Sequence, residues 1–230
     1  MNKRSYQQFC GLALALDTVG ERWTLLIVRN LLLGPKRYGE LQAELPGITT
    51  NLLAKRLKEM EAGGLLCKRE RRYALSERGL ELEPVVLALG RFGAGLMVNG
   101  PGAGATAGFH VNIGWAMVAM KRRYQGTHTG RAWLGVDGRG FLFTYGPDGV
   151  YVEERTMPIE APAFSDLLHI EGPLDALQPW LFGGQSAAGF HISGPDFSGF
   201  CASFGLADQP KTNTPQAPIT RAQGVRRGDD

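Results

Sequence analysis

The chain has 230 residues, of which 43% are hydrophobic, 20% charged and 9% aromatic, a globular composition long enough for one large or two small domains. A net charge of +3 neither requires nor excludes nucleic acid. Three cysteines far apart in sequence, Cys10, Cys67 and Cys201, argue against a disulfide framework or a CxxC metal clip and fit a reducing cytoplasm.

The opening Met1-Asn2-Lys3-Arg4-Ser5 lacks an apolar signal core, and Asp17 and Arg29 break the longest apolar runs, so neither secretion nor a membrane span is expected. Charge is uneven: residues 1–97 hold fifteen basic and ten acidic residues, whereas the remainder holds ten and twelve. Glycine and proline are uneven in the opposite sense, with 21 of 32 glycines and ten of 13 prolines after position 97. Two architectures in one chain follow from that contrast.

From Tyr6 to about Arg91 apolar residues recur at helical spacing. Helices are predicted over Ser5 to Val19, Arg22 to Leu33, where Gly34-Pro35 stops the ladder, and Tyr38 to Leu45. Pro46-Gly47-Ile48 is a tight turn, after which Thr49 or Thr50 caps a helix reaching Ala62, closed by Gly63-Gly64. Leu65 to Leu75 reads as a short β-hairpin with a charged centre. Ser76 opens a further helix with Leu80, Val85, Val86, Leu89 and Phe92 on its apolar faces and a kink at Pro84.

A glycine-rich linker is expected at 98–108, then a helix from Val111 to Tyr124. A strand carrying Phe141, Phe143 and Tyr145 is flanked by strands over Ala132 to Val136 and Val150 to Glu154, joined at Asp137-Gly138 and Gly146-Pro147-Asp148-Gly149. There follow a short helix over Phe164 to Ile170, an apolar stretch over Leu174 to Phe182, a strand over Gly189 to Ser193, and a helix from Pro195 in which Phe197, Phe200, Cys201 and Phe204 share a face. Leu206 to Asp230 reads as a disordered tail.

Helices with a tight turn before the last, then a basic hairpin and a backing helix, outline a winged helix-turn-helix. With Leu53, Leu57 and Met60 turned inward, Asn51, Lys55, Lys58 and Ala62 fall on the opposite stripe. Asn51 can read adenine and Thr49 and Thr50 can touch bases, while Lys55, Arg56 and Lys58 can neutralise phosphates. Lys36 and Arg37 before the third helix, and Lys68, Arg69, Arg71 and Arg72 at the hairpin, complete the candidate DNA contacts. Each feature alone has a plain alternative, a solvated charged face or a helix cap; their combination favours DNA.

The run Glu21-Arg22-Trp23-Thr24-Leu25-Leu26-Ile27-Val28-Arg29, with Gly34 to Leu41, Leu45 to Met60 and Gly63-Gly64-Leu65, closely resembles HxlR-type transcriptional regulators, themselves similar to the MarR group. The resemblance covers about Ser5 to Phe92 and implies a homodimer on double-stranded operator DNA. Cys10 stands where that family often carries a cysteine, implying a possible redox sensor; the alternative is a small buried hydrophobe. The helix-then-meander order, the Phe141 to Tyr145 strand and His191 to Asp196 with its closing helix resemble the sterol carrier protein fold.

The expected fold is therefore two-domain: a winged helix-turn-helix over 1–97, mainly α with a short β-hairpin, and an α+β domain over 109–205. The second holds 15 of the chain's 21 aromatics, enough for a cavity admitting a small apolar effector and equally enough for an ordinary core. No catalytic residue, metal set or cofactor is indicated. His110, His128, His169 and His191 lack ligand spacing, the GxGxxA match at Gly102 to Ala107 follows a helix where a strand is needed, and Gly184 to Ala188 lacks the second glycine of a nucleophile elbow. The rival reading is a lipid or small-molecule carrier whose helical domain serves only dimerisation.

Overall fold

The computed structural model describes residues 5–99, 112–155, 166–182 and 184–208. Its N-terminal part runs α1 (Gly11–Val19), α2 (Thr24–Leu31), β1 (Lys36–Arg37), α3 (Tyr38–Glu44), α4 (Thr50–Ala62), β2 (Leu66–Arg69), β3 (Arg72–Leu75), α5 (Glu77–Leu80) and α6 (Glu83–Asn99). β1, β3 and β2 form a small antiparallel sheet in that order, so the hairpin gains a third strand that two residues are too short to announce in sequence. Ser5 to Cys10 is not helical as expected. Ser5 Oγ and the Tyr6 N–H instead donate to the Asp17 carboxylate, which draws the segment back along α1.

The helix expected after Ser76 divides in two. Ser76 caps α5 by accepting from the Gly79 N–H, and Pro84 lies in the first turn of α6, where its missing N–H forfeits no helical bond and no interior kink is needed. α6 runs on through Val98 and Asn99, the first residues assigned to a linker; the rest of that linker, with the GxGxxA match, lies outside the described residues.

The C-terminal part comprises α7 (Ile113–Arg123), β4 (Gly130–Val136), β5 (Arg139–Gly146), β6 (Gly149–Arg155), β7 (Leu168–Gly172), α8 (Leu174–Phe182), β8 (His191–Ser193) and α9 (Phe197–Phe204). The meander is present, with sheet order β6-β5-β4-β7-β8 and only β4 and β7 parallel among these pairs. The helix expected up to Ile170 is overturned: residues 168–172 are strand, Leu168 and Ile170 buried while His169 and Glu171 are less so, a period of two. Phe164, where that helix was to begin, lies outside the described residues. The tail also begins later than expected, because Leu206 is buried and Trp180 Nε1 donates to the Ala207 carbonyl at 3.0 Å; residues 209–230 are not described.

One continuous apolar core joins the two parts, from Ile27, Leu41 and Leu57 to Met117, Phe143 and Phe204. Its hub is α7, buried on nearly every face and packed against α2, α6, β6, α8 and α9. Asn112 caps it through the Gly114 N–H at 2.7 Å, and its last turn sends Lys121 to Glu83 and Arg122 to the Gly90 carbonyl, both in α6. The aromatics of the second domain fill space between one another: Phe143, Tyr145, Phe200 and Phe204 have ring centroids 4.8 to 5.8 Å apart, mostly edge to face. On the opposite face of the sheet the Trp133 indole lies over Gly140, where a Cβ would fall 1.9 Å from its Cζ2.

A charged cluster closes the seam beside β1. Lys36 Nζ meets Glu44 Oε1 at 3.0 Å and Glu154 Oε2 at 2.6 Å, and Arg139 Nη2 bridges the same carboxylates at 2.8 and 2.6 Å. The Glu154 N–H donates to the Leu33 carbonyl at 2.8 Å, tying the edge of the five-stranded sheet to the end of α2. Burial alone raises the Glu154 carboxyl, but Lys36 and Arg139 outweigh it and hold the group below its ordinary range. A carboxylate so depressed contributes stability above its unfolded value, near 4.3, and loses that contribution as pH falls through the lower folded value. Glu154→Gln is expected to cost about 3 kcal/mol in urea unfolding at pH 7 and to flatten the stability loss that the native protein shows as pH falls below the ordinary glutamate range. An unchanged midpoint and an unchanged acid limb contradict the cluster.

Candidate nucleic-acid interface

α4 is built as a reading helix. Thr49 has extended backbone and its hydroxyl accepts from the Leu52 N–H, satisfying one of the donors left free at a helix start. Leu53, Leu57 and Met60 are buried, which turns Asn51, Lys55, Lys58 and Ala62 outward. The helix stops where Gly64 takes a left-handed φ of 71° and the Leu65 N–H returns to the Met60 carbonyl. Its angle to α3 is set by two bonds that sequence reasoning did not single out: Tyr38 Oη donates to the Thr50 carbonyl at 2.7 Å, and Gln42 Nε2 to the Ile48 carbonyl at 2.8 Å. A turn-spanning Tyr and Gln four residues apart was the available signal. Trp23, at a left-handed φ of 82°, packs near Gly47 of the same turn.

Beside α4 stands the wing. β2 and β3 pair from Leu66 with Leu75 to Arg69 with Arg72, and Glu70 and Arg71 both take left-handed backbone, forming the two-residue connection that matches strand twist. Neither is glycine, so the tip is strained. Lys68, Arg69, Arg71 and Arg72 are exposed, with Lys68 5.1 Å over the Tyr73 ring and Arg72 donating to the Pro35 carbonyl at 3.0 Å. Arg37 is exposed opposite Arg72, its N–H donating to Glu40 at the start of α3.

The structure therefore brings Thr49, Thr50, Asn51, Lys55 and Lys58 to one exposed face and Arg37, Arg69, Arg71 and Arg72 to the neighbouring wing. Two residues expected at the DNA do not belong to this surface. Lys36 is 6% exposed and committed to Glu44 and Glu154, because β1 runs along the domain seam rather than toward solvent. Arg56 is 7% exposed, clamped between Glu59 at 2.6 Å and Glu21 at 3.0 Å, because it follows Lys55 by one residue and so rotates about 100° toward the core. Lys55 retains only a loose exposed pairing with Glu59 at 3.9 Å.

Cys10 is exposed, which removes the reading of it as a buried hydrophobe. It occupies the cap position of α1, and the backbone N–H groups of Ala13 and Leu12 lower its thiol below the ordinary value. Cys201, by contrast, is buried, and burial followed by Asp208 pushes it up to about 12. Among the described residues no cluster of His, Cys, Asp and Glu could hold a metal, and no helix is long and apolar enough to cross a membrane.

A reading helix with a basic wing defines the class of winged helix-turn-helix DNA-binding proteins. Residues 18–99 match the family model described as HxlR-like helix-turn-helix. The chain is 30% identical over 92 residues to the HTH-type transcriptional regulator sll1512 of Synechocystis, covering 37% of this chain and 68% of that one. It is 32% identical over 91 residues to YkvN of Bacillus subtilis, covering 36% and 77%, and 36% identical over 81 residues to YodB of the same organism, covering 31% and 70%. The chain belongs to the HxlR-like helix-turn-helix family of transcription regulators.

Removing one cation that neutralises a phosphate lowers the salt slope of DNA binding by about 0.9. Lys58→Ala and Arg71→Ala are each expected to do so in fluorescence-anisotropy titrations across salt, whereas Arg56→Gln leaves the slope alone. A lowered slope in Arg56→Gln contradicts the assignment. For the cysteines, iodoacetamide is expected to label Cys10 first at neutral pH and Cys201 only on unfolding; mass spectrometry giving the reverse order contradicts it.

Proposed function

We propose that this protein is a homodimeric transcription regulator that reads operator DNA through Asn51, Thr49 and Thr50 in the major groove. Lys55, Lys58, Arg37 and the wing arginines Arg69, Arg71 and Arg72 hold the phosphate backbone. The observation that carries this reading is the exposed, polar and basic face of α4 beside the basic wing, with Leu53, Leu57 and Met60 of α4 and Leu66 of the wing turned into the core.

Dimerisation is supported by apolar residues without cover. Val85, Leu89, Phe92 and Leu96 of α6 follow one another at helical spacing and are 42 to 70% exposed; Leu12 of α1 is 69% exposed, with Phe9 just before it fully exposed. Stripes of that kind mark association surfaces, and a two-fold pair presents two reading helices to successive turns of the duplex. The C-terminal domain is read as the regulatory part, docked on α2, β1 and α3 of the reading domain. Its likeness to the sterol carrier fold rests on the helix-then-meander order, the Phe141 to Tyr145 strand and His191 to Asp196 with its closing helix. The expected apolar effector has less to support it, since the aromatic rings meant to line its cavity occupy one another's space. A carrier role is disfavoured on the same ground. Cys10, exposed and lowered, is the residue through which oxidants or electrophiles would act.

Phe92→Asp with Leu96→Asp is expected to yield monomers in light scattering and to weaken operator binding roughly hundredfold, because bivalent attachment is abolished. Asn51→Ala is expected to leave dimers intact and to cost about 1–3 kcal/mol of discrimination between operator and scrambled DNA. Undiminished discrimination in Asn51→Ala contradicts the proposed reading.

A further inference from the structure

Where α2 meets α7, a polar cluster is left short of acceptors. Asn30 is 2% exposed, and its Oδ1 already accepts from Arg29 Nε at 3.0 Å and from Trp115 Nε1 at 3.2 Å. Those two donors fix which way the amide faces, so Nδ2 points elsewhere, and it is buried with no partner. Arg29 Nη2 is likewise buried and without a partner, and the guanidinium lies 4.1 Å from the Trp115 ring. Two buried N–H donors with no protein acceptor in one seam are costly unless a bound molecule accepts from them.

Charge is also unbalanced there. Arg29 takes part in no ion pair among the described residues, and the carboxylate that acts on it, Glu44, is already shared by Lys36 and Arg139. Counting Glu154 as well, three cations face two carboxylates. Burial lowers Arg29 to about 10, which still leaves it cationic at neutral pH. A water molecule can accept from the two donors but cannot offset that surplus positive charge.

We propose that the α2–α7 seam binds a small monovalent oxyanion, of the monocarboxylate class, whose oxygens accept from Arg29 Nη2 and Asn30 Nδ2 beside the Trp115 ring. The pairing is of the charge-assisted kind in which a planar carboxylate meets a guanidinium. Since α2 belongs to the reading domain and α7 is the hub of the other, the ligand joins the two domains; any effect on operator binding rests on the function proposed above, whereas the site itself does not.

The test uses the full chain without DNA. Sodium acetate is titrated against sodium chloride at constant ionic strength while tryptophan fluorescence and melting temperature are followed. Acetate is expected to give a saturable fluorescence change and a raised melting temperature. Asn30→Asp, which places an acceptor oxygen where the orphaned donor stood, is expected to weaken the acetate response by about tenfold or more and to melt higher without acetate. Arg29→Gln serves as a second variant in which the response is weakened to the same degree, and Trp115→Phe removes the fluorescence change while keeping the thermal one. A wild-type response that tracks ionic strength alone overturns the proposal, as does a saturable response that survives in both Asn30→Asp and Arg29→Gln.

Discussion

The arrangement depends on a buried meeting of four charges, Lys36, Glu44, Arg139 and Glu154, drawn from the wing sheet, the helix before the reading helix and two strands of the C-terminal sheet. Taking these groups out of water costs about as much as their attraction returns, so the cluster adds little net stability while it is complete. Its effect is on geometry. Sliding the sheet along α2 separates each carboxylate from the cation it meets across the seam, Glu44 from Arg139 and Glu154 from Lys36, and it also breaks the neighbouring Glu154 to Leu33 backbone bond. The apolar packing around α7 supplies the attraction, and the charges select one docking among those that burial alone permits.

That docking decides which cations remain exposed beside α4. Lys36 belongs to a basic-looking Lys36-Arg37 pair, yet strand alternation sends one side chain into the seam and the other outward. Arg56 lies amid the basic residues of α4, yet helical rotation turns it to Glu21. The outcome is a narrow reading face, with Lys55 and Lys58 flanking Asn51 and the wing arginines standing to one side. The same docking brings Trp115 onto Arg29 and Asn30, so the domain seam and the shortage of acceptors within it have one origin.

Much of the N-terminal fold was legible because its determinants are local. Thr49 caps, Gly63-Gly64 stops, and Leu53, Leu57 and Met60 recur at helical spacing, so the reading helix can be drawn from the stretch Thr49 to Gly64 with no knowledge of what it packs against. The meander was legible for the same reason, through Asp137-Gly138 and the alternating Phe141, Phe143 and Tyr145. What escaped was non-local. β1 exists only because Arg72 and Tyr73 pair with it, and β7 was read as helix because five residues are too few to distinguish the two periods without the parallel partner β4. The burial of Lys36 depends on Glu154, 118 positions away, which no window along the chain can show.

The account stands most directly on the amide of Glu154. β6 is the edge of its sheet, and the Glu154 N–H points away from β5 to the Leu33 carbonyl at 2.8 Å, so protection of this proton reports docking of the two domains and nothing within the sheet. Hydrogen exchange followed residue by residue on the full chain is expected to find Glu154 exchanging as slowly as the amides paired between β4 and β5. Exchange at the rate of an open edge strand, with the β4–β5 amides still protected, would show that the domains are not held together in the way described.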